Sequence, residues 1–303
     1  PNSLLAHGGE LFVSNANNDT ISEFDQGSLK LKRSFKLSPH PAVANLRGVI
    51  PSGLAISPDG KRLFVCESGL NSVAVLDARG GRVIGRIPTG WFPMKVAYLP
   101  GGSLAIATQK GTGRGPRGPK GARVPGDEGY GLPDMPGMID LVKVPSDAQL
   151  RSWNQEVLAN NGLPVGNSRP QPPKTPNPIP YVPGKESDQI KYVVFITKEN
   201  HTFDGIFGEL KGAKGEPEYA EFGMNGWIEE KGKEERLPIM PNHIRLAEQF
   251  AISDNFYMEP QASGDGHRWL NGVYPSLWTT RVFYAGWDFR QTAHARGRLA
   301  SMG

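Results

Sequence analysis

Two short stretches of this 303-residue chain bring together side chains that could do chemistry. The first is Lys198-Glu199-Asn200-His201-Thr202-Phe203-Asp204, a dense run of oxygen and nitrogen donors directly after the apolar run Tyr192-Val-Val-Phe-Ile-Thr197. A carboxylate beside an amide suits a divalent cation, which takes hard or borderline donors. The second is Gln261-Ala262-Ser263-Gly264-Asp265-Gly266-His267-Arg268-Trp269. It sets a hydroxyl in a glycine-rich turn ahead of an expected helix, an order that exposes a nucleophile at a helix N-terminus. Each stretch also admits a plainer reading: a polar loop that caps the next helix, and an ordinary Ser-Gly turn.

Positioning these groups falls to the elements beside them. The β-branched and aromatic composition of Tyr192 to Thr197 predicts a short buried parallel strand. In open α/β sheets, ligands bind beyond the carboxyl ends of such strands, where Glu199 and Asn200 would then lie. Further on, Pro241 to Phe250 reads as a helix with His243, Leu246, Ala247 and Phe250 on one face. Ala251 to Tyr257 reads as a strand that leads into the Ser263 turn.

The run Glu199-Asn200-His201-Thr202-Phe203-Asp204-Gly205-Ile206-Phe207-Gly208 resembles a Glu-Asn-x-Ser/Thr-Phe-Asp-x-x-Phe-Gly signature. That signature marks the phosphoesterase family of bacterial phospholipases C and acid phosphatases, within the alkaline-phosphatase superfamily. The passage from Pro241 to Trp269 resembles the family segment that carries the Ser or Thr nucleophile. The resemblance implies that Glu199 and Asn200 are metal-site residues and that Ser263 is the nucleophile. By the same resemblance Phe203 and Phe207 pack the loop, and the Thr202 hydroxyl is the lesser candidate for attack. A metal-activated Ser263 would attack phosphorus in line, and water would then hydrolyse the phosphoserine. Gly264 and Gly266 would admit phosphate close to the backbone. His267 and Arg268 would contact phosphate or leaving group, or else brace the turn. The superfamily completes its metal site with Asp and His ligands far downstream. His294 and Asp288 match no such pattern, so these 303 residues alone are expected to lack a complete site and to be inactive by themselves.

The first third of the chain repeats itself. Pro51, Ala55, Pro58 and Gly60 recur at Pro93, Ala97, Pro100 and Gly102, an offset of 42. An earlier copy stands at an offset of 52, with Leu11-Phe12-Val13 matching Leu63-Phe64-Val65 and Asp19–Asp25 matching Asn71–Asp77. Each unit reads as strand, Asp-Gly or Gly-Gly turn, strand, Asn-containing turn, strand. A period of about 40–45 residues with short strands marks β-propeller blades. Leu11-Phe12-Val13-Ser14-Asn15 and Leu63-Phe64-Val65-Cys66-Glu67 resemble YVTN-type propeller repeats. About three blades are expected where such propellers close with about seven. The last is interrupted by a Gly/Pro-rich insertion at 110–137 carrying Lys110, Arg114, Arg117, Lys120 and Arg123, a solvated loop or a basic arm toward an anionic substrate.

A helix is predicted from Ser146, as cap, to Ala159, with Asn161-Gly162 as its stop. Eight prolines between Leu163 and Glu186 then forbid helix or central strand and mark an extended connector. The domains expected are therefore propeller blades over 1–145, a helix and linker over 146–189, and the phosphoesterase part over 190–303.

Composition narrows the function further. A single cysteine, Cys66, excludes an internal disulfide or a multi-cysteine metal cluster and falls in an apolar run, so a buried inert thiol is expected. No stretch of about 18 apolar residues is present to span a membrane. The insertion lacks the Lys-Ser/Thr ending of a phosphate-binding P-loop, and no aromatic residues interleave its arginines, so neither nucleotide nor nucleic acid is an expected partner. A net charge of +4 suits an anionic substrate and equally a mildly basic solvated surface.

The expected fold is multidomain: a partial, all-β propeller followed by an incomplete α/β alkaline-phosphatase-like domain. The expected function is metal-dependent hydrolysis of phosphate mono- or diesters, with one or more divalent cations of unspecified identity and the propeller as a docking module for an unknown partner. Periplasmic or secreted location is implied by the resemblance. The competing expectation is a propeller-based binding or surface protein with an inactive esterase segment.

Overall fold

The computed structural model describes residues 1–112, 137–165, 174–181, 185–199, 201–254, 256 and 263–272, the side chains of 263–265 excepted. Two compact units emerge, Pro1–Tyr192 with the chain from His267, and Val193–Gly266.

The first unit contains three antiparallel sheets. β1 (Ser3–His7), β2 (Glu10–Asn15), β3 (Thr20–Asp25) and β4 (Leu31–Lys36) pair in sequence order. So do β5 (Pro51–Ile56), β6 (Arg62–Glu67), β7 (Ser72–Asp77) and β8 (Val83–Pro88). The third sheet has three strands, β9 (Pro93–Leu99), β10 (Ser103–Thr108) and β11 (Met138–Lys143). The first strand of the middle sheet, β5, packs against β1 and β2 on one side and β9 on the other. With the hairpin of the second unit, the described residues hold four antiparallel sheets, and those of the first unit are consistent with a partial β-propeller. Repeats at offsets of 42 and 52 correspond to the same strands of successive sheets, as the sequence predicts.

Alternation within the middle sheet explains why its strands read as unbroken apolar runs. Leu63, Val65, Ala74 and Leu76 pack with Phe12 and Ile21 of the first sheet and with Leu37 just after it. Their neighbours Phe64, Cys66, Val73 and Val75 pack with Val96, Leu104 and Ile106 of the third. Side chains two apart share a face, so a sheet covered on both sides needs apolar residues at every position. Gly53 in β5 permits the closest approach: a Cβ there would lie 2.7 Å from Lys95 Cα and from the Met94 carbonyl.

Polar groups join the sheets where apolar packing stops. Ser14 Oγ donates to the Ser52 carbonyl (2.7 Å), Ser52 and Ser68 hydroxyls meet at 2.7 Å, and Ser68 Oγ donates to the Pro93 carbonyl (2.6 Å). A buried ion pair lies further out. Arg86 gives Nε and Nη2 to the two oxygens of Glu67 (2.7 and 3.1 Å), whose carboxylate also accepts from Ser72 Oγ. Two further guanidinium donors reach Asn154 Oδ1 and the Ser38 carbonyl, so the buried charge is held by hydrogen bonds beyond its ion pair.

Two equivalent clamps lock sheet to sheet. Asp19 and Asn71, counterparts in the repeat, both hold left-handed backbone (φ 54° and 52°). Asp19 accepts from the backbone N–H of Ile50 (2.9 Å) and Gly48 (2.8 Å), and Asn71 Oδ1 accepts from Phe92 N–H (2.8 Å). Ile50 and Phe92 are themselves left-handed, at φ 53° and 60°, immediately before Pro51 and Pro93. Bulky residues avoid that region, so its cost must be offset by the bond each N–H makes.

α1 (Asp147–Asn160) packs against β8 with Leu150, Val157 and Leu158 buried. Ser146 caps it by accepting from Gln149 N–H, and Asn161 and Gly162 end it, as predicted. Lys110 departs from expectation. It is buried with its ammonium 5.1 Å over the Phe92 ring, because the chain leaving β10 is pinned by Gln109 and Lys110 N–H bonds to Phe92 and Trp91. The other cations of the insertion lie outside the described residues.

The second unit differs more from expectation. Residues 191–199 form no strand, and Tyr192 and Phe195 are 89% and 70% exposed. An apolar run becomes a buried parallel strand only where neighbours supply both hydrogen bonds and cover, and no described strand pairs with this one. Residues 251–254 likewise form no strand. The α/β arrangement expected around them is not present among the described residues. What the unit does contain is α2 (Phe203–Phe207), a hairpin of β12 (Gly226–Glu230) and β13 (Lys233–Leu237), α3 (Pro241–Gln249), and the first residues of α4 (Ser263–Gly272). The hairpin turns through Lys231 and Gly232, both at positive φ, the two-residue geometry that matches strand twist.

Two measurements check these contacts. Asn71→Ala should lower stability by about 2–4 kcal/mol in urea titration, since it removes a hydrogen-bond acceptor and leaves a Cβ-bearing residue without a local partner in left-handed backbone; Asn71→Gly should cost about 1–2 kcal/mol less. Equal midpoints for the wild type and both variants would remove the clamp from the account. Burial pushes the Cys66 thiol up to about 12 from 9.0. Its folded value is raised, so the associated stability is present below about pH 9 and is lost as pH climbs toward 12. At pH 8 a disulfide reagent should leave Cys66 unmodified until denaturant is added.

Candidate functional site

The candidate site is built from the loop between Lys198 and Gly208. Thr202 is extended (φ −70°, ψ 164°) and its Oγ1 accepts from Gly205 N–H at 3.2 Å, which makes it the N-cap of α2. A β-hydroxyl in that role satisfies one of the otherwise unpaired N–H groups of the first turn. Phe203 and Phe207, four residues apart, bring their rings to 5.5 Å. Asp204 Oδ1 accepts from Glu216 N–H (3.0 Å), and Asp254 Oδ2 from Lys214 N–H (2.8 Å), so these two acids brace the 208–217 loop. Gly208 is required by a close approach: a Cβ there would run into the Glu216 carbonyl. His201 lays its ring 4.2 Å from that of Phe222.

Of the residues predicted to act, Glu199 is exposed at the end of the extended run that precedes α2. Asn200 lies outside the described residues. Ser263 is the first residue of α4, so the stretch Ser263 to Gly266, expected as a turn ahead of a helix, is instead the helix's own first turn; the Ser263 side chain lies outside the description. His267 and Arg268 follow in the same helix, exposed and half-buried respectively.

α3 is present as predicted, with a different inward face. Ile244 is its buried residue, while Leu246 and Phe250 are 56% and 62% exposed. Rotating the helix onto Ile244 brings His243 to the candidate loop. Lys198 Nζ lies 2.9 Å from His243 Nε2. Sequence reasoning missed this contact, since nothing in local spacing links residues 45 apart.

The donors fit a hard divalent cation in type, a carboxylate from Glu199 and an amide oxygen from Asn200. Among the described residues, no three His, Cys, Asp or Glu side chains gather closely enough to hold a metal ion. No helix of the described residues is long and apolar enough to cross a membrane.

No protein-family profile matches the chain, and no curated protein matches it in sequence. Solved structures share short portions with it. Kuenenia stuttgartiensis hydrazine synthase is 26% identical over 34% of this chain and 26% of its own, with a TM-score of 0.29. A protein of unknown function from Bacteroides caccae is 19% identical over 35% of this chain and 36% of its own, TM-score 0.29. A Bacteroides fragilis protein described as a 6-phosphogluconolactonase is 20% identical over 35% and 31%, TM-score 0.30. The chain thus spans about a quarter to a third of the length of each, and no function passes from them to this chain.

The geometry around α2 separates two roles for Thr202. As a cap, its replacement by Ala should destabilise the second unit by about 0.5–2 kcal/mol, while Thr202→Ser restores the loss. Protease susceptibility of the 193–266 region reads this directly. A Thr202→Ala chain as resistant as wild type would overturn the capping role.

Proposed function

We propose that this chain is part of a metal-dependent phosphoesterase that hydrolyses phosphate mono- or diesters through a phosphoserine on Ser263. The observation that supports this most is the division of labour in the loop before α2. Thr202, Phe203, Asp204, Phe207 and Gly208 cap, pack and brace, and Glu199, followed in sequence by Asn200, stands exposed directly ahead of the loop they fix. A motif whose other members build the loop is well suited to present those two as ligands.

The chemistry follows from the residue types. Ser263 Oγ forms a bond to phosphorus, its proton passes to a base, and the ester oxygen leaves with the bonding electron pair. Water then attacks the phosphoserine, which releases phosphate and restores the hydroxyl. Glu199 and Asn200 would hold a divalent cation, whose positive charge would favour serine ionisation and offset charge on the phosphoryl oxygens. Gly264 and Gly266 let backbone approach the phosphate, and His267 and Arg268 contact phosphate or leaving group from the first turns of α4. The sheets of the first unit serve as a docking module, in a periplasmic or secreted protein.

In the full-length protein, Ser263→Ala should reduce hydrolysis of an aryl phosphate ester by at least about 10³-fold with unchanged circular dichroism. Retained turnover would remove Ser263 from the mechanism. Glu199→Ala should lower the bound metal measured by elemental analysis, and an unaltered content would contradict its role as a ligand.

A further inference from the structure

Nothing in the motif reading gives the Lys198–His243 contact a purpose. The two side chains come from distant parts of the second unit, one beside Glu199 and the other on α3, and meet at 2.9 Å. An ammonium has no acceptor capacity, so Lys198 Nζ donates and His243 Nε2 accepts, which leaves the imidazole proton on Nδ1. One of three ammonium donors is used in this way. The other two remain for an anion. Lys198 is exposed and carries a flexible four-carbon stem, while His243 is half-buried on a helix anchored by Ile244. A fixed imidazole therefore restrains a mobile cation at the position next to the proposed metal ligand.

We propose that Lys198 binds a phosphoryl oxygen of the substrate and that His243 is its positioning residue. The inference rests on the phosphoesterase reading for the identity of the anion. Lysine acts at such sites as a compact point charge and lacks the planar fork that would orient it, so an acceptor that holds it in place improves binding without touching the substrate. The pair contributes to phosphate recognition in both the free-ester and the phosphoserine stages, since the same phosphoryl group is present in each.

Inorganic phosphate titrated into the full-length protein and followed by ³¹P NMR tests the site without requiring turnover. Wild type should bind, and Lys198→Met should weaken binding about tenfold or more, the usual effect of losing a charge-assisted hydrogen bond. His243→Leu should weaken it by a smaller factor, and His243→Gln, whose amide oxygen can still accept from the ammonium, should recover most of it. A purely structural role for His243 would not be rescued in that order. For ester hydrolysis, His243→Leu should raise KM more than it lowers kcat. Phosphate affinity unchanged in Lys198→Met, or absent in wild type, overturns the proposal. Loss of phosphate binding in Lys198→Met with no ester hydrolysis by wild type would leave the anion site standing and remove the enzyme reading instead.

Discussion

The sheet array depends on the clamp by which one repeat holds the start of the next. A left-handed Asx residue in the turn after the second strand accepts the N–H of the residue that opens the following sheet. That residue is an apolar one in left-handed backbone before proline, a conformation that costs free energy and persists only when its surroundings fix it. Ile50 and Phe92 are fixed twice, through the clamp and through burial beside Ala16. With the joints set, β5 can approach β9 at Gly53, and the serine hydroxyls can pass hydrogen bonds from one sheet to the next.

The third sheet shows what happens where this device is replaced. The turn that carries Asp19 or Asn71 in the other sheets is occupied by the insertion after β10. Asp140 in β11 instead reaches back to Gly90 N–H at 3.1 Å. Lys110 turns inward over Phe92, the residue that Asn71 holds, so the insertion is rooted in the neighbouring joint. α1 then packs on β8 beside the buried Glu67–Arg86 pair, and Asn154 supplies one of the hydrogen bonds that make burial of that guanidinium tolerable.

The second unit is organised by a different rule. Its helices are short, its hairpin is largely exposed, and its shape comes from side-chain acids bound to backbone N–H groups across loops. Such contacts fix local geometry without a large apolar core. They hold the loop of Thr202 to Gly208 in a defined form and bring α3 to Lys198, while the apolar run before it stays exposed.

Local pattern made the repeats, three of the four strands in each of the first two sheets, the capped helix after Ser146 and the packing of Phe203 with Phe207 legible in the sequence, while the fourth strands, β4 and β8, and the capping role of Thr202 came from the structure. The legible features rest on a period of two in strands, a cap beside its helix and ring pairs four residues apart. The sequence also singled out Glu199, Asn200 and Ser263 as candidates, since residue type sets which donors and hydroxyls a chain can offer. Tertiary structure decided the rest. The apolar character of Tyr192 to Ile196 could not specify a strand, because pairing is a property of the neighbour as much as of the run. Helical periodicity placed Leu246 and Phe250 on an apolar face, yet the contact that mattered was Ile244, and with it the direction of His243. Lys110 reads as one more cation of a basic insertion until the Phe92 ring is placed beneath it. In each case the deciding interaction joins residues far apart in the chain, where spacing carries no information and only packing chooses the partner.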